Sequence, residues 1–257
     1  MAVLRHHRRP RRPRLAPGPL PGLLLDGALG GRGGIGAMSL LIPLYVHPAE
    51  DPAAWNRLIT RAARTYAVVL NPANGPGHAP DPAFAAAAGA LRAAGARPLG
   101  YIDTDYGTRD PAEIAEDLRR HREWYAADGC FLDRVTSAAD GLPACRRLVR
   151  SVRRLGASTV VLNPGVHPAP GYARLADLTV TFEGHWSTYV SAFSRPSWTV
   201  RQPPGRLCHL VYGVPEPLVP LAVRTARERG AAVCGPVTGE PPNPWSRLTP
   251  ALAGEER

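Results

Sequence analysis

The stretch Gly129–Arg134, GCFLDR, decides how the rest of the chain is read. Small and apolar residues run into a single carboxylate at Asp133, which is how a strand of a parallel α/β barrel ends when its body is packed core and its C-terminal end opens onto a site. A strand-end aspartate also caps turns, so this fragment alone leaves Asp133 open between chemistry and turn formation. Leu178–Glu183, LTVTFE, repeats the pattern, and two such strands in one barrel aim Asp133 and Glu183 at one pocket.

Outward from these two strands the chain alternates regularly. Strand-like runs are expected at 40–46, 67–71, 98–102, 130–133, 159–163, 178–183, 207–211 and 231–237. Helices are expected at 53–64, 82–94, 111–126, 143–155 and 216–229, with shorter helical turns near Tyr172 and over 188–193. Asp51 before Pro52 and Asp110 before Pro111 mark helix starts, and Gly95, Gly156 and Gly230 mark ends. Eight strands separated by helices predict a single (β/α)8 TIM-type barrel, which 257 residues accommodate. The alternative is an open doubly wound sheet, but no GxGxxG follows the first strand. The expected organisation is an Arg/Pro/Gly-rich disordered extension over 1–37, a barrel over 38–240 and a tail over 241–257. Met38, just ahead of the first strand, offers an alternative start.

The net charge of +10 suggests a polyanion partner until it is divided. Seven Arg against Asp26 give residues 1–37 a net +6, leaving +4 for the remainder, so no nucleic-acid partner is expected for the folded part. All 31 basic residues are Arg, which excludes Schiff-base lysines and P-loop phosphate binding. Cys130, Cys145, Cys208 and Cys234 form no CxxC pair, so neither metal, cofactor nor disulfide framework is expected. The longest apolar run in 1–37, Leu23–Leu25, is too short for a signal-peptide core or a membrane span. The expectation is therefore a cytoplasmic protein with no membrane partner; export through the arginine pairs is the alternative, and the oligomeric state is not readable.

VVLNPANGPG after strand two recurs as VVLNPGVHPAPG after strand five. In each, a proline ends the ladder, leaving Asn71 and Asn163 at strand ends on one rim, or, on the plainer reading, two similar turns. Other strand ends supply Tyr45, His47, Asp103, Asp105, Tyr106, Tyr212 and Thr238, with His185 just beyond strand six. Tyr45, Tyr106, Phe182, Trp186 and Tyr212 can hold sugar faces. Asp103 and Asp105 can orient hydroxyls or form an Asx-turn toward Gly107.

Taken together, LLIPLYVHP, VVLNPANGPG, GYIDTDYGTR, WYAADGCFLDR, VLNPG and TFE resemble, in order and spacing, the spherulation-specific family of spherulin-4-like glycosidases. The resemblance covers roughly residues 39–240. It implies a β/α barrel that hydrolyses polymers of α-1,4-linked galactosamine or N-acetylgalactosamine, with acids at the ends of strands four and six, here Asp133 and Glu183. It places a polysaccharide or oligosaccharide in the mouth, with Tyr45, Asn71, Asp103, Asp105, Tyr106, Arg134, Asn163, His185 and Tyr212 as candidate contacts. The family commonly has Asp-Glu after strand four, whereas this chain has Asp133-Arg134. Strand alternation predicts that Arg134 turns toward the helices. Facing the pocket instead, it would lower a neighbouring carboxylate's pKa and repel a protonated amino sugar. The alternative function is a barrel that has lost catalysis and binds polysaccharide.

Overall fold

The computed structural model describes residues 38–253, so the expectation for residues 1–37 lies outside the described residues. Eight parallel strands close into a barrel in sequence order: β1 (Ser39–Pro43), β2 (Thr65–Leu70), β3 (Pro98–Asp103), β4 (Gly129–Asp133), β5 (Thr159–Asn163), β6 (Leu178–His185), β7 (Leu207–Tyr212) and β8 (Val233–Pro236). The helices are α1 (Pro52–Thr60), α2 (Pro82–Ala93), α3 (Pro111–Tyr125), α4 (Leu142–Arg154), α5 (Trp186–Ala192) and α6 (Val219–Glu228). Between β5 and β6 the connection is only a 3-10 turn, Tyr172–Arg174. The barrel expected from the alternation is the barrel observed.

Helices α1, α2 and α3 each begin with Asp-Pro, at Asp51, Asp81 and Asp110. Each aspartate accepts from a first-turn N–H that has no partner inside the helix, while the proline has no N–H to satisfy. Along the strands, side chains sort by parity. Leu99, Tyr101, Phe131 and Val161 fill the barrel interior. Ile102, Cys130, Leu132, Val160 and Leu162 meet α3 and α4. Asp103, Asp133 and Asn163 continue the inward parity at the C-terminal ends of three adjacent strands, and the ladder pairs them side by side, Asp103 with Asp133 and Asp133 with Asn163. The four cysteines are free and buried, and burial pushes the thiols of Cys130, Cys145 and Cys234 up to about 12.

In β6 the parity changes. Leu178 and Val180 point inward, and strict alternation would then send Phe182 inward and Glu183 out. A bulge at Thr181, where Val180 pairs with Cys208 and Phe182 with His209, reverses this: Phe182 packs against Tyr189 and Phe193 of the α5 layer and Glu183 turns into the mouth. Residues 241–253, expected as a tail, pack back onto the barrel instead. Tyr45 N–H donates to the carbonyl of Trp245 at 2.8 Å, the Thr249 hydroxyl donates to the carbonyl of Pro236, and Leu252 is buried in a turn that packs on α6.

The closeness of the barrel wall shows at two glycines. A Cβ on Gly129, which opens β4, would lie 1.8 Å from the carbonyl oxygen of Thr159, and one on Gly100 would lie 2.3 Å from the His121 ring. Gly129→Ala therefore has to push β4 off β5. The expected cost is about 1–3 kcal/mol or more, read as a lowered midpoint in chemical denaturation.

Candidate functional site

The barrel mouth holds a cleft of about 370 Å³ whose lining includes Tyr45, Asn71, Tyr101, Asp133, Asn163 and Glu183, roofed by Asn243 and Trp245. It continues into a second hollow of about 320 Å³ bounded by Tyr106, Arg134, Gly165 and Tyr212, with Asp133, Asn163 and Glu183 common to both. A larger hollow of about 760 Å³ lies near Arg57, Glu216 and Leu248; its lining has one carboxylate and no acid pair, so the chemistry belongs to the mouth.

At the centre is Asn163. Its Oδ1 accepts from Gly165 N–H at 3.0 Å, which fixes the amide orientation and turns Nδ2 toward the acids. That nitrogen donates to Asp133 Oδ1 at 2.6 Å and to Glu183 Oε2 at 2.5 Å, so those oxygens lie within about 5 Å of each other. Glu183 N–H donates in turn to the carbonyl of Gly165 at 2.8 Å, tying β6 to the turn that holds Asn163. Asp133 also accepts from the Tyr101 hydroxyl at 2.7 Å.

The two carboxyls sit in unequal environments. Burial raises the pKa of Asp133, although the Tyr101 hydroxyl, the Arg134 backbone N–H and Asn163 all favour its charged form. Glu183 is pushed up to about 7, first by burial and then by the charge of Asp133; hydrogen bonds from Asn163 and Trp245 resist this only in part. Two carboxylates whose bridged oxygens lie within about 5 Å repel by a few kcal/mol at an effective dielectric near 20, so below about pH 7 the pair holds one proton. That proton sits on Glu183, which has fewer donors to stabilise its anion. The same desolvation raises the phenol pKa of Tyr45 and Tyr101 and keeps both as hydrogen-bond donors.

Arg134 does not turn toward the helices. β4 ends at Asp133, and Arg134 takes a left-handed turn at φ 50°, where strand alternation no longer applies. Its Nε and Nη2 donate to the two oxygens of Asp103 at 2.8 and 2.7 Å, and Nη2 reaches Asp105 Oδ1 at 2.7 Å. It lines the mouth as one cation held by two carboxylates, so the repulsion expected of a pocket-facing arginine is neutralised on the rim. Burial pushes the Asp103 carboxyl up, but the Arg134 guanidinium holds it below its ordinary value. Asp103 also accepts from Asp105 N–H at 2.8 Å, so the Asx-turn and the ion pair coexist.

Among the other candidates, Tyr45, Tyr106 and Tyr212 line the mouth. Asn71 lines it too, but its Oδ1 serves a wider loop by accepting from Gly75 N–H at 2.8 Å, so the two Asn-Pro turns are alike in sequence and unlike in role. Phe182 and Trp186 pack on Tyr189, away from the cleft. His185 caps α5 through Nδ1 and meets Glu240 at 3.3 Å, outside the lining of either hollow. His47 pairs with Asp81 at 3.0 Å at the start of α2. Tyr101, Asn74, Asn243 and Trp245 line the mouth without having been singled out. Tyr101 was findable, since it sits two residues before Asp103 on the same strand face; Trp245 lies beyond β8 in a segment with no periodicity to place it.

Residues 39–240 match the model of the family described as spherulation-specific family 4. The chain belongs to this family. It is 30% identical over 167 residues to Spherulin-4 of Physarum polycephalum; the match takes in 63% of this chain and spans about half, 48%, of that relative. The crystal structure of Aspergillus clavatus Sph3 in complex with GalNAc superposes with a TM-score of 0.73 at 25% identity, over 85% of this chain and 96% of Sph3. A Rhizomucor miehei chitinase matches at a TM-score of 0.51 and 10% identity over 83% of this chain and 99% of its own. An Aeropyrum pernix deoxyribose phosphate aldolase matches at 0.51 and 13% over 85% and 91%. These last two share the fold alone, and their unlike names show how little the fold says of chemistry.

The raised pKa of Glu183 has a stability consequence. From 4.5 in the unfolded chain to about 7 in the fold, the shift gives a stability that is full below pH 4.5 and lost as pH rises through 7. Glu183→Gln removes the charge that burial penalises. The variant is expected to be more stable than the parent at pH 8, by up to roughly 3 kcal/mol, and indistinguishable near pH 4, as read from denaturation midpoints across pH.

Proposed function

We propose that the protein is a glycoside hydrolase that cleaves within polysaccharides of α-1,4-linked N-acetylgalactosamine or galactosamine. The observation that carries this reading is the acid pair bridged by Asn163: two carboxyls of unequal proton affinity within about 5 Å at an open barrel mouth. GalNAc in the Sph3 crystal structure and the family membership support the sugar class. The continuation of the cleft into a second hollow favours an enzyme that takes a chain rather than an end.

In this mechanism Glu183, protonated below about pH 7, donates its proton to the glycosidic oxygen as the bond to the anomeric carbon breaks. Asp133, held as the anion by Tyr101 and Asn163, attacks that carbon and forms a glycosyl ester. Glu183, now a base, takes a proton from water, which hydrolyses the ester and restores both groups. The short separation favours this two-step route with retained configuration; inversion needs about 6.5–9.5 Å to admit a water between the acids. The alternative, a barrel that binds sugar without cleaving it, was raised by Arg134. Its pairing with Asp103 and Asp105 leaves the acid pair its own hydrogen bonds, which favours the hydrolase.

The test is reducing-end release from acetylated and deacetylated galactosamine polymers, with the anomeric outcome followed by NMR. Glu183→Gln is expected to lower turnover by roughly 10²–10⁴-fold and Asp133→Asn at least as much. Because Glu183 must carry its proton, the parent's kcat/KM is expected to fall as pH rises through about 7. Full turnover in both variants would end the reading, and binding without release by the parent would favour the non-catalytic barrel.

A further inference from the structure

The loop after β3 and the turn after β4 meet in a strained arrangement. Three non-glycine residues take left-handed backbone angles there: Asp105 at φ 45°, Tyr106 at φ 52° and Arg134 at φ 50°. A bulky residue such as tyrosine is rarely found at positive φ, and such strain persists only where the surroundings enforce it. Here they do. The carbonyl of Arg134 accepts from Tyr106 N–H at 2.7 Å and from the Thr104 hydroxyl at 2.9 Å, while Arg134 Nε and Nη2 grip Asp103 and Asp105.

The product of this strain is an aromatic ring held out of the fold. Tyr106 is 58% exposed, the most exposed Phe, Tyr or Trp side chain among the described residues, and Cζ of Arg134 stands 5.3 Å from its ring centre. A tyrosine packed for stability would be turned in; this one is propped at the edge of the hollow that Asp133, Asn163 and Glu183 share. Beyond it the surface dips again, into a hollow of about 430 Å³ that has Arg134 in common with the first. With Nε and Nη2 committed to the aspartates, the remaining Nη1 of Arg134 has donors to offer a ligand oxygen.

From this geometry we infer that Tyr106, backed by Arg134, forms an outer sugar subsite. It takes a second unit of the chain whose first unit lies at the acid pair, with the apolar face of the sugar ring on the phenol and a hydroxyl or acyl oxygen accepting from Arg134. A neutral, acetylated unit suits it better than a protonated one, because the guanidinium already occupies the ring's cation-binding role. The inference rests on the proposed function for the identity of the ligand and goes beyond it in assigning Arg134 to substrate length and not to bond cleavage.

Binding, not turnover, tests it. In the Glu183→Gln background, calorimetry with N-acetylgalactosamine and with its α-1,4-linked tetramer is expected to show tighter binding of the tetramer. Adding Tyr106→Ala should weaken the tetramer at least tenfold and leave the monosaccharide within twofold. Tyr106→Phe should retain tetramer binding, and Arg134→Ala should weaken it at least fivefold. Tetramer binding unchanged in both Tyr106→Ala and Arg134→Ala would overturn the subsite while leaving the proposed function standing. Equal weakening of monosaccharide and tetramer would also overturn it, by placing Tyr106 at the central sugar. A Glu183→Gln protein that binds neither sugar would overturn the subsite and the substrate class together.

Discussion

One amide nitrogen, Nδ2 of Asn163, donates to both Asp133 and Glu183, and much of the mouth is arranged to keep it there. Two buried carboxylates this close cannot both be charged at neutral pH without a cost of a few kcal/mol. The bridge lowers that cost without removing it. It leaves the pair one proton short of neutral, with one carboxyl charged and the other protonated. Removing Asn163's grip on Gly165 would free the amide to rotate and present its oxygen to the acids, replacing a donor with a third acceptor. The Asn-Pro-Gly turn is therefore part of the electrostatics as well as of the chain path.

Getting the three groups together depends on backbone parity. Asp133 and Asn163 reach the mouth because each lies an even number of residues from an inward core side chain, Phe131 and Val161, on neighbouring strands in matched register. Gly129 permits the register by letting β4 lie against the β5 backbone. Glu183 arrives differently, through the bulge at Thr181, which exchanges Phe182 for Glu183 on the inner face. Without that extra residue a phenyl ring would occupy the mouth and the acid would be stranded among the helices. A bulge beside a reactive group, re-aiming one side chain, is its common use.

The eight strands were legible because parallel βα units write their period and their punctuation plainly, as Asp-Pro at three helix starts and glycine at several ends. The two acids were legible because each stands as a lone charge after an apolar run. The bulge was not legible: LTVTFE reads as an unbroken strand, and Glu183 lies in the mouth through a switch of parity that the sequence does not display. The Asn-Pro echo misled in part, since matching turn residues fix a turn and not a function; Asn163 bridges the acids and Asn71 holds a loop. Trp245 was hidden for a different reason. It reaches Glu183 from beyond the last strand, outside the span matched to the family, and nothing local to it signals which part of the barrel it covers.

Arg134 shows most clearly where alternation stops being a guide. A strand's two faces are defined only while its ladder continues, and at Asp133 the ladder ends. One left-handed residue later the side chain lies along the rim, where Asp103 and Asp105 take up its charge. The charge of Arg134 is taken up by these two carboxylates, and Asp133, one residue away, keeps Tyr101 and Asn163 as partners. The rim charges are thus balanced among themselves, apart from the hydrogen bonds of the centre. In a barrel whose wall is fixed by close backbone contact, the ends of the strands are where a side chain can leave the strand's alternation and still find partners.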